Sequence, residues 1–154
     1  MKSFSTLLLI ICITLISCNY DCNHATANIS LLSFPVNETD TIIVRKFTKS
    51  SNFKSLIDTF FLNQSNSSYQ RTNDTLEIYN TFGTDNGLLG KYDYEVYLPE
   101  INRLFQITEI TEVFQSINSG LSCNKVACVN YFKSYKVNDQ LVNVNSTYPF
   151  YFVK

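Results

Sequence analysis

The sequence has little of what most catalytic and nucleotide-binding sites are built from. Its 154 residues include one histidine, four glycines and three prolines. The histidine, His24, lies in an N-terminal stretch without periodicity. A Ser-His-Asp or Cys-His mechanism needs a base held on a rigid scaffold, so neither is expected. No Gly-rich phosphate loop, HExxH or EF-hand pattern occurs. Few Gly and Pro beside 45% hydrophobic residues describe a globular chain and exclude a disordered one. No charge of one sign dominates: the formal net charge is −1. A nucleic-acid partner is therefore not expected. Lys125, Lys133 and Lys136, close in sequence, read as a solvated face.

The apolar runs are also short. Leu7 to Ile16 falls below the roughly 20 residues needed to cross about 30 Å of hydrocarbon. It follows a charged start, Met1-Lys2, and ends at Ser17-Cys18, which are the parts of a secretory signal. Leu15-Ile16-Ser17-Cys18 resembles the lipobox of bacterial lipoproteins. That resemblance implies acylation of the Cys18 thiol, cleavage just before it, and a lipid bilayer as partner. Asn19 after the cysteine, in place of Asp, points to the outer rather than the inner membrane. Two other readings stay open. Cleavage after Ala25-Thr26-Ala27 would release a soluble secreted protein. Asn28-Ile29-Ser30, Asn37-Glu38-Thr39, Asn73-Asp74-Thr75 and Asn145-Ser146-Thr147 fit the glycosylation acceptor pattern of a eukaryotic secreted chain. An Asn-rich chain also produces such triplets by chance.

Loss of residues 1–17 removes one lysine and no acid. It leaves 137 residues with 11 basic against 13 acidic side chains, enough for one domain with a real core. Residues 18–38 read as a lipidated cysteine with a flexible tether, and 39–154 as a single domain. Aromatic and β-branched enrichment leans toward sheet.

Strand signals begin with Thr41 to Phe47. Phe53, Leu56, Ile57, Phe60 and Phe61 fall at helical spacing, which predicts a short helical turn near 52–58 running into a strand. Residues 63–73 read as a Ser/Asn-rich loop. Thr75 to Phe82 alternates, with Leu76, Ile78 and Phe82 on one face. Residues 83–90 form a loop in which Asp85-Asn86-Gly87 is turn chemistry. Tyr92 to Leu98 is the clearest strand: Tyr92, Tyr94, Val96 and Leu98 face inward, Asp93 and Glu95 face water, and Pro99 ends it. Residues 104–117 fit helix by spacing and strand by composition. Residues 126–137 predict a strand, turned at Asn138-Asp139 into Leu141 to Val144. Tyr148 to Val153 predicts an edge strand. Short strands between turn signals suggest a mostly β fold, an antiparallel sandwich or barrel. The run Lys91 to Pro99, with the strand order and the short exported form, resembles small lipoproteins of Bacteroidota-type bacteria. The resemblance implies an immunoglobulin-like or transthyretin-like sandwich at the outer membrane and carries no activity.

Outside the signal and the anchor, three cysteines remain. Export permits disulfides. Cys123 and Cys128 enclose four residues able to turn, so this pair is the expected bridge, with Cys22 left over. Cys22 bonded to one of the pair is the alternative. A zinc site from Cys22-x-His24 and the later pair lacks the usual ligand spacings. No metal or cofactor is expected.

Two functions follow. The first is a non-catalytic β domain that binds a protein or glycan partner at the cell surface or serves envelope structure. Tyr79, Tyr97 and Tyr151, emerging on outer faces, suit such contacts. The second is a carbohydrate-active hydrolase using two of Asp93, Glu95, Glu109 and Glu112. A pocket joining two carboxylates would favour the hydrolase, and a flat aromatic patch would favour the binding module.

Overall fold

The computed structural model describes residues 24–79, 81–83, 85–118, 126–144 and 150–154. Fourteen strands among them form two open sheets and two short ladders. The strands are β1 (Thr26–Ala27), β2 (Ile29–Leu32), β3 (Ile42–Thr48), β4 (Leu56–Leu62), β5 (Ser68–Thr72), β6 (Thr75–Tyr79) and β7 (Thr81–Phe82). They continue with β8 (Asp85–Asn86), β9 (Leu88–Leu89), β10 (Tyr92–Leu98), β11 (Arg103–Asn118), β12 (Val126–Val137), β13 (Gln140–Asn143) and β14 (Phe150–Val153). One sheet runs β13-β12-β11-β10-β3-β4 and the other β14-β2-β6-β5; β1 pairs β9 and β7 pairs β8. The fold is a β-sandwich of open sheets, as the strand pattern predicts, and not a barrel. All pairings are antiparallel except β14 with β2, which is parallel.

Period-two alternation builds the core. Register aligns Phe150, Ile29, Ile78 and Tyr69 across the smaller sheet, and Phe152, Leu31 and Leu76 in the next row. These rows face Val44, Tyr94, Val96, Phe105, Ile107, Phe132 and Tyr135 of the larger sheet, all buried. Aromatic contacts join the layers. Phe152 lies 4.8 Å from Phe105, and Phe150 lies 5.3 Å from Phe132 and 4.5 Å from Tyr135, ring centre to ring centre. Aromatic pairs at such separations add to the area they bury.

The domain starts earlier than residue 39. Ala25, Ala27, Ile29, Leu31 and Phe34 are buried, and β2 is an interior strand of the smaller sheet. The segment from 24 to 38 is thus part of the sandwich rather than a tether. Residues 63–73 also differ from expectation, because β5 occupies 68–72. Its polar side chains suit an edge strand with one wet face.

The turn near 52–58 is a hairpin turn, not a helical one. Asn52 and Phe53 have φ of +51° and +57°, and the Lys54 N–H donates to the Ser51 carbonyl at 3.2 Å. Positive φ at both central residues marks the mirror-image turn that matches strand twist. Asn138 and Asp139, at +48° and +66°, make the second such turn, between β12 and β13, where the sequence predicts it. The ambiguous 104–117 segment is strand throughout. A bulge where Glu109 takes φ +50° shifts the register between Thr108 and Thr111. Ile107 and Ile110 therefore both reach the core, which imitates helical spacing.

Two polar plugs pin the short ladders. The Leu89 N–H donates to the Tyr94 hydroxyl at 2.8 Å, and that hydroxyl donates to the Leu89 carbonyl at 3.2 Å, all buried. Lys46 points inward from β3, with Nζ 3.3 Å from Asp85 Oδ2 and 4.8 Å from the centre of the Tyr92 ring. Gly87 completes the arrangement. Its φ is +96°, and a Cβ there would sit 2.8 Å from the Ala27 carbonyl oxygen. Gly83, at φ +71°, has nothing nearer than 4.0 Å. Gly87→Ala should cost about 1–3 kcal/mol, backbone strain compounded by the clash. Gly83→Ala should cost about 1 kcal/mol, the price of its φ alone. Urea midpoints of the two variants check this, and equal losses would show that the approach to Ala27 is not limiting.

Candidate functional site

The four candidate carboxylates each have a separate partner. Asp93 is 3% exposed, contrary to the water-facing position expected from alternation. The β3–β4 turn folds over that face, where Phe53 packs edge-on against Phe47, the residue opposite Asp93. Asp93 Oδ2 accepts the Ser50 N–H at 2.6 Å. Burial pushes its carboxyl above the usual range, opposed by that hydrogen bond and by the charge of Lys49. Glu95 accepts from Arg45 at 3.2 Å and from Gln106 at 3.0 Å. Glu109 pairs with Lys136 at 2.6 Å.

Glu112 sits 3.1 Å from His24 Nδ1, and the His24 ring meets Phe114 edge-on at 6.1 Å. His24 is therefore docked on β11, not adrift in a tether. Glu112 is tucked over Gly90, whose missing side chain makes the room. No third His, Cys, Asp or Glu joins this pair among the described residues.

A flat patch lies elsewhere, on the outer face of the larger sheet. Register places Phe61, Ile43, Tyr97 and Leu104 side by side across β4, β3, β10 and β11. Phe61 is 61% exposed. The next row, Thr59, Arg45, Glu95 and Gln106, is polar. The Tyr97 hydroxyl bonds Asn102 at 3.0 Å, and the Arg45 guanidinium lies 5.9 Å from the centre of its ring. Tyr79 and Tyr151 also stand exposed, as expected from alternation.

The concave feature is polar. A groove of about 650 Å³, open to solvent, is lined by Asn28, Tyr79, Asn86 and the 65–68 segment. Sequence reasoning singled out Tyr79 but none of its neighbours, because a Ser/Asn-rich stretch reads as an ordinary loop. A smaller cleft of about 100 Å³ lies beside Tyr69, Arg71 and Thr39. Burial, and the charges of Glu100 and Asp40, raise the Tyr69 hydroxyl well above its ordinary range. Arg71 spans that cleft, donating to the Phe34 carbonyl at 2.8 Å and to the Thr39 hydroxyl at 3.2 Å. No carboxylate of the candidate set lines either cavity.

Of the cysteines, Cys128 lies in β12 opposite Ser116. Cys18, Cys22 and Cys123 fall outside the described residues, and with them the expected Cys123–Cys128 bridge.

The buried carboxyl of Asp93 fixes a pH dependence. Its folded value lies above the unfolded one, so the folded state holds the proton more tightly. The stability tied to that proton is complete below the unfolded value near 3.8 and is lost as pH rises through the raised folded value. Asn at this position keeps an acceptor for Ser50 and carries no charge. Asp93→Asn should therefore gain stability relative to the parent as pH goes from 3 to 7. Urea unfolding at both pH values checks it, and a gain that shrinks toward pH 7 would reverse the assignment.

Compared with known proteins, the chain matches no protein family, no curated protein and no solved structure.

Proposed function

We propose that the chain is exported, cut before Cys18, and held through an acylated Cys18 on a bacterial membrane, the outer one by its Asn19. There it presents a non-catalytic β domain that binds a surface partner. The observation that carries this reading is Leu15-Ile16-Ser17-Cys18 directly at the end of the apolar run, six residues ahead of the docked His24. Six residues fully extended reach at most about 20 Å, so an anchored domain would ride close to the bilayer. Several acyl chains on one cysteine would make the anchoring effectively permanent, where one chain would not.

Binding rather than hydrolysis is favoured by what the carboxylates do. A glycosidase holds two of them across a shared cleft, about 5–5.5 or 6.5–9.5 Å apart. Here Asp93, Glu95, Glu109 and Glu112 are bonded to Ser50, Arg45, Lys136 and His24 respectively. The row Phe61, Ile43, Tyr97 and Leu104 is the kind of flat aromatic and aliphatic patch on which a binding module relies.

Membrane fractionation and intact mass test the anchor. The expected species is residues 18–154 plus acyl groups, in the detergent fraction. Cys18→Ala should abolish both the added mass and the membrane association. An unmodified chain whose mass and fractionation ignore the substitution would replace this reading with a soluble secreted protein.

A further inference from the structure

We infer that the groove between the smaller sheet and the β7–β8 hairpin is a binding site for an uncharged oligosaccharide. The inference rests on the reading of the domain as a binding module and is independent of the anchor. Three features of the groove carry it.

The first is charge. Among the described residues the lining side chains are carboxamides, hydroxyls and one phenol, with no Lys, Arg, Asp or Glu. A charged ligand would leave its charge without a counterpart there, whereas a polyol needs only donors and acceptors. Each carboxamide offers two donors and an acceptor with two lone pairs, which matches neighbouring sugar hydroxyls that both give and take hydrogen bonds. Asn28, Ser68 and Asn86 have side chains with no hydrogen-bond partner among the described residues. They reach the groove from three elements: the β1–β2 junction, β5 and β8.

The second feature is the ring. Tyr79 is 41% exposed at the end of β6, and its hydroxyl is bonded to Glu77. That bond holds the hydroxyl proton, raises its pKa and fixes where the ring lies. An exposed, fixed aromatic face suits the C–H face of a sugar ring and loses little rotamer freedom on binding.

The third is preorganisation. Asn63 Oδ1 accepts from the Ser65 N–H at 3.0 Å, the Ser65 hydroxyl at 2.6 Å and the Asn66 N–H at 3.1 Å. Asn66 Oδ1 accepts in return from the Asn63 N–H at 2.9 Å, and Asn66 Nδ2 donates to the Phe61 carbonyl at 2.8 Å. The loop wall is thus set before any ligand arrives, so less ordering cost falls on binding. A volume of about 650 Å³ falls in the ordinary range of small-ligand sites, and its open side accommodates a chain that continues beyond the groove.

The test is an NMR titration of the full mature chain. The probes are neutral oligosaccharides of glucose, xylose and mannose, with oligogalacturonate as the charged comparison. At least one neutral probe should give saturable shifts at the amides of Ser65 to Ser68, Tyr79 and Asn86. Tyr79→Ala should weaken binding roughly tenfold, the loss of one stacking contact. Asn86→Ala removes a side chain with no hydrogen-bond partner among the described residues, so it should weaken binding with an unchanged melting temperature. Leu141→Ala, exposed on β13 of the larger sheet and outside the groove, should leave binding unchanged. No shift with any neutral probe up to its solubility limit, or tighter binding of oligogalacturonate, would overturn the assignment and leave the anchor reading untouched. Shortening of a bound probe, seen by chromatography of the same samples, would keep the groove and sink the non-catalytic reading instead.

Discussion

The second layer of the sandwich exists only because β2 lies between β14 and β6. The pairings run Phe150–Ile29–Ile78 and Phe152–Leu31–Leu76. With β2 removed, the smaller sheet would fall to the β5–β6 hairpin and a lone C-terminal strand, and an isolated hairpin is marginal in water. The N-terminal segment and the C-terminal strand must therefore both be in place before the larger sheet can bury its inner face. Parallel pairing of segments so far apart in sequence also makes this closure a high-contact-order step, slow relative to the hairpins of the larger sheet. The same constraint commits residues from 24 onward to the packed domain.

The two small ladders are held by polar groups rather than by length. A two-residue ladder has little stability of its own. The Tyr94 hydroxyl satisfies both backbone groups of Leu89, and losing such a partner leaves buried groups unpaired at about 1–3 kcal/mol. Lys46 does the corresponding work for β8 through Asp85, with the Tyr92 and Phe60 rings around its ammonium. A buried ion pair stabilises little in total, but it penalises every arrangement in which one partner is left alone. Its consequence here is positional. It fixes Asp85, and with it Asn86 at the groove, while Gly87 lets the chain pass against Ala27 beside Asn28.

Where the sequence kept a period of two, it was legible. Tyr94, Val96 and Leu98 on β10, and Leu76, Ile78 and Phe82 further up the chain, are buried as alternation requires. The two segments with helical spacing are both strands containing a register shift. One shift lies beside Lys46/Phe47, opposite Leu56 to Asp58, and the other lies at Thr108 to Thr111. At Thr108 to Thr111 the bulge adds one residue to a period of two and so produces the i, i+3 spacing on which a helix assignment depends, whereas at 53–61 the spacing marks no core face, since Leu56, Ile57 and Phe61 are exposed. Asp93 was misplaced for a different reason. Alternation identifies the face on which a side chain lies but not what folds over that face, and the 48–55 turn is a tertiary event. The groove was illegible because one wall is a Ser/Asn-rich stretch that reads as an ordinary loop, and Asn28 and Asn86 join it from elements distant in sequence.

An anchor at Cys18 and a groove that includes Asn28 would act on each other through chain length. Ten residues separate them, and ten extended residues reach at most about 35 Å. The packing of residues 24–27 makes the true span shorter, since β1 and Ala25 are already part of the fold. A ligand in the groove would then be held within a few tens of ångströms of the bilayer, whatever the tilt of the domain. A saccharide long enough to leave the groove by its open side could still extend beyond that zone. Such a geometry favours capture of chains already near the membrane over reach toward distant ones. It would also give a short spacer a role that a long flexible tether could not fill, because effective concentration at a surface falls as the tether lengthens.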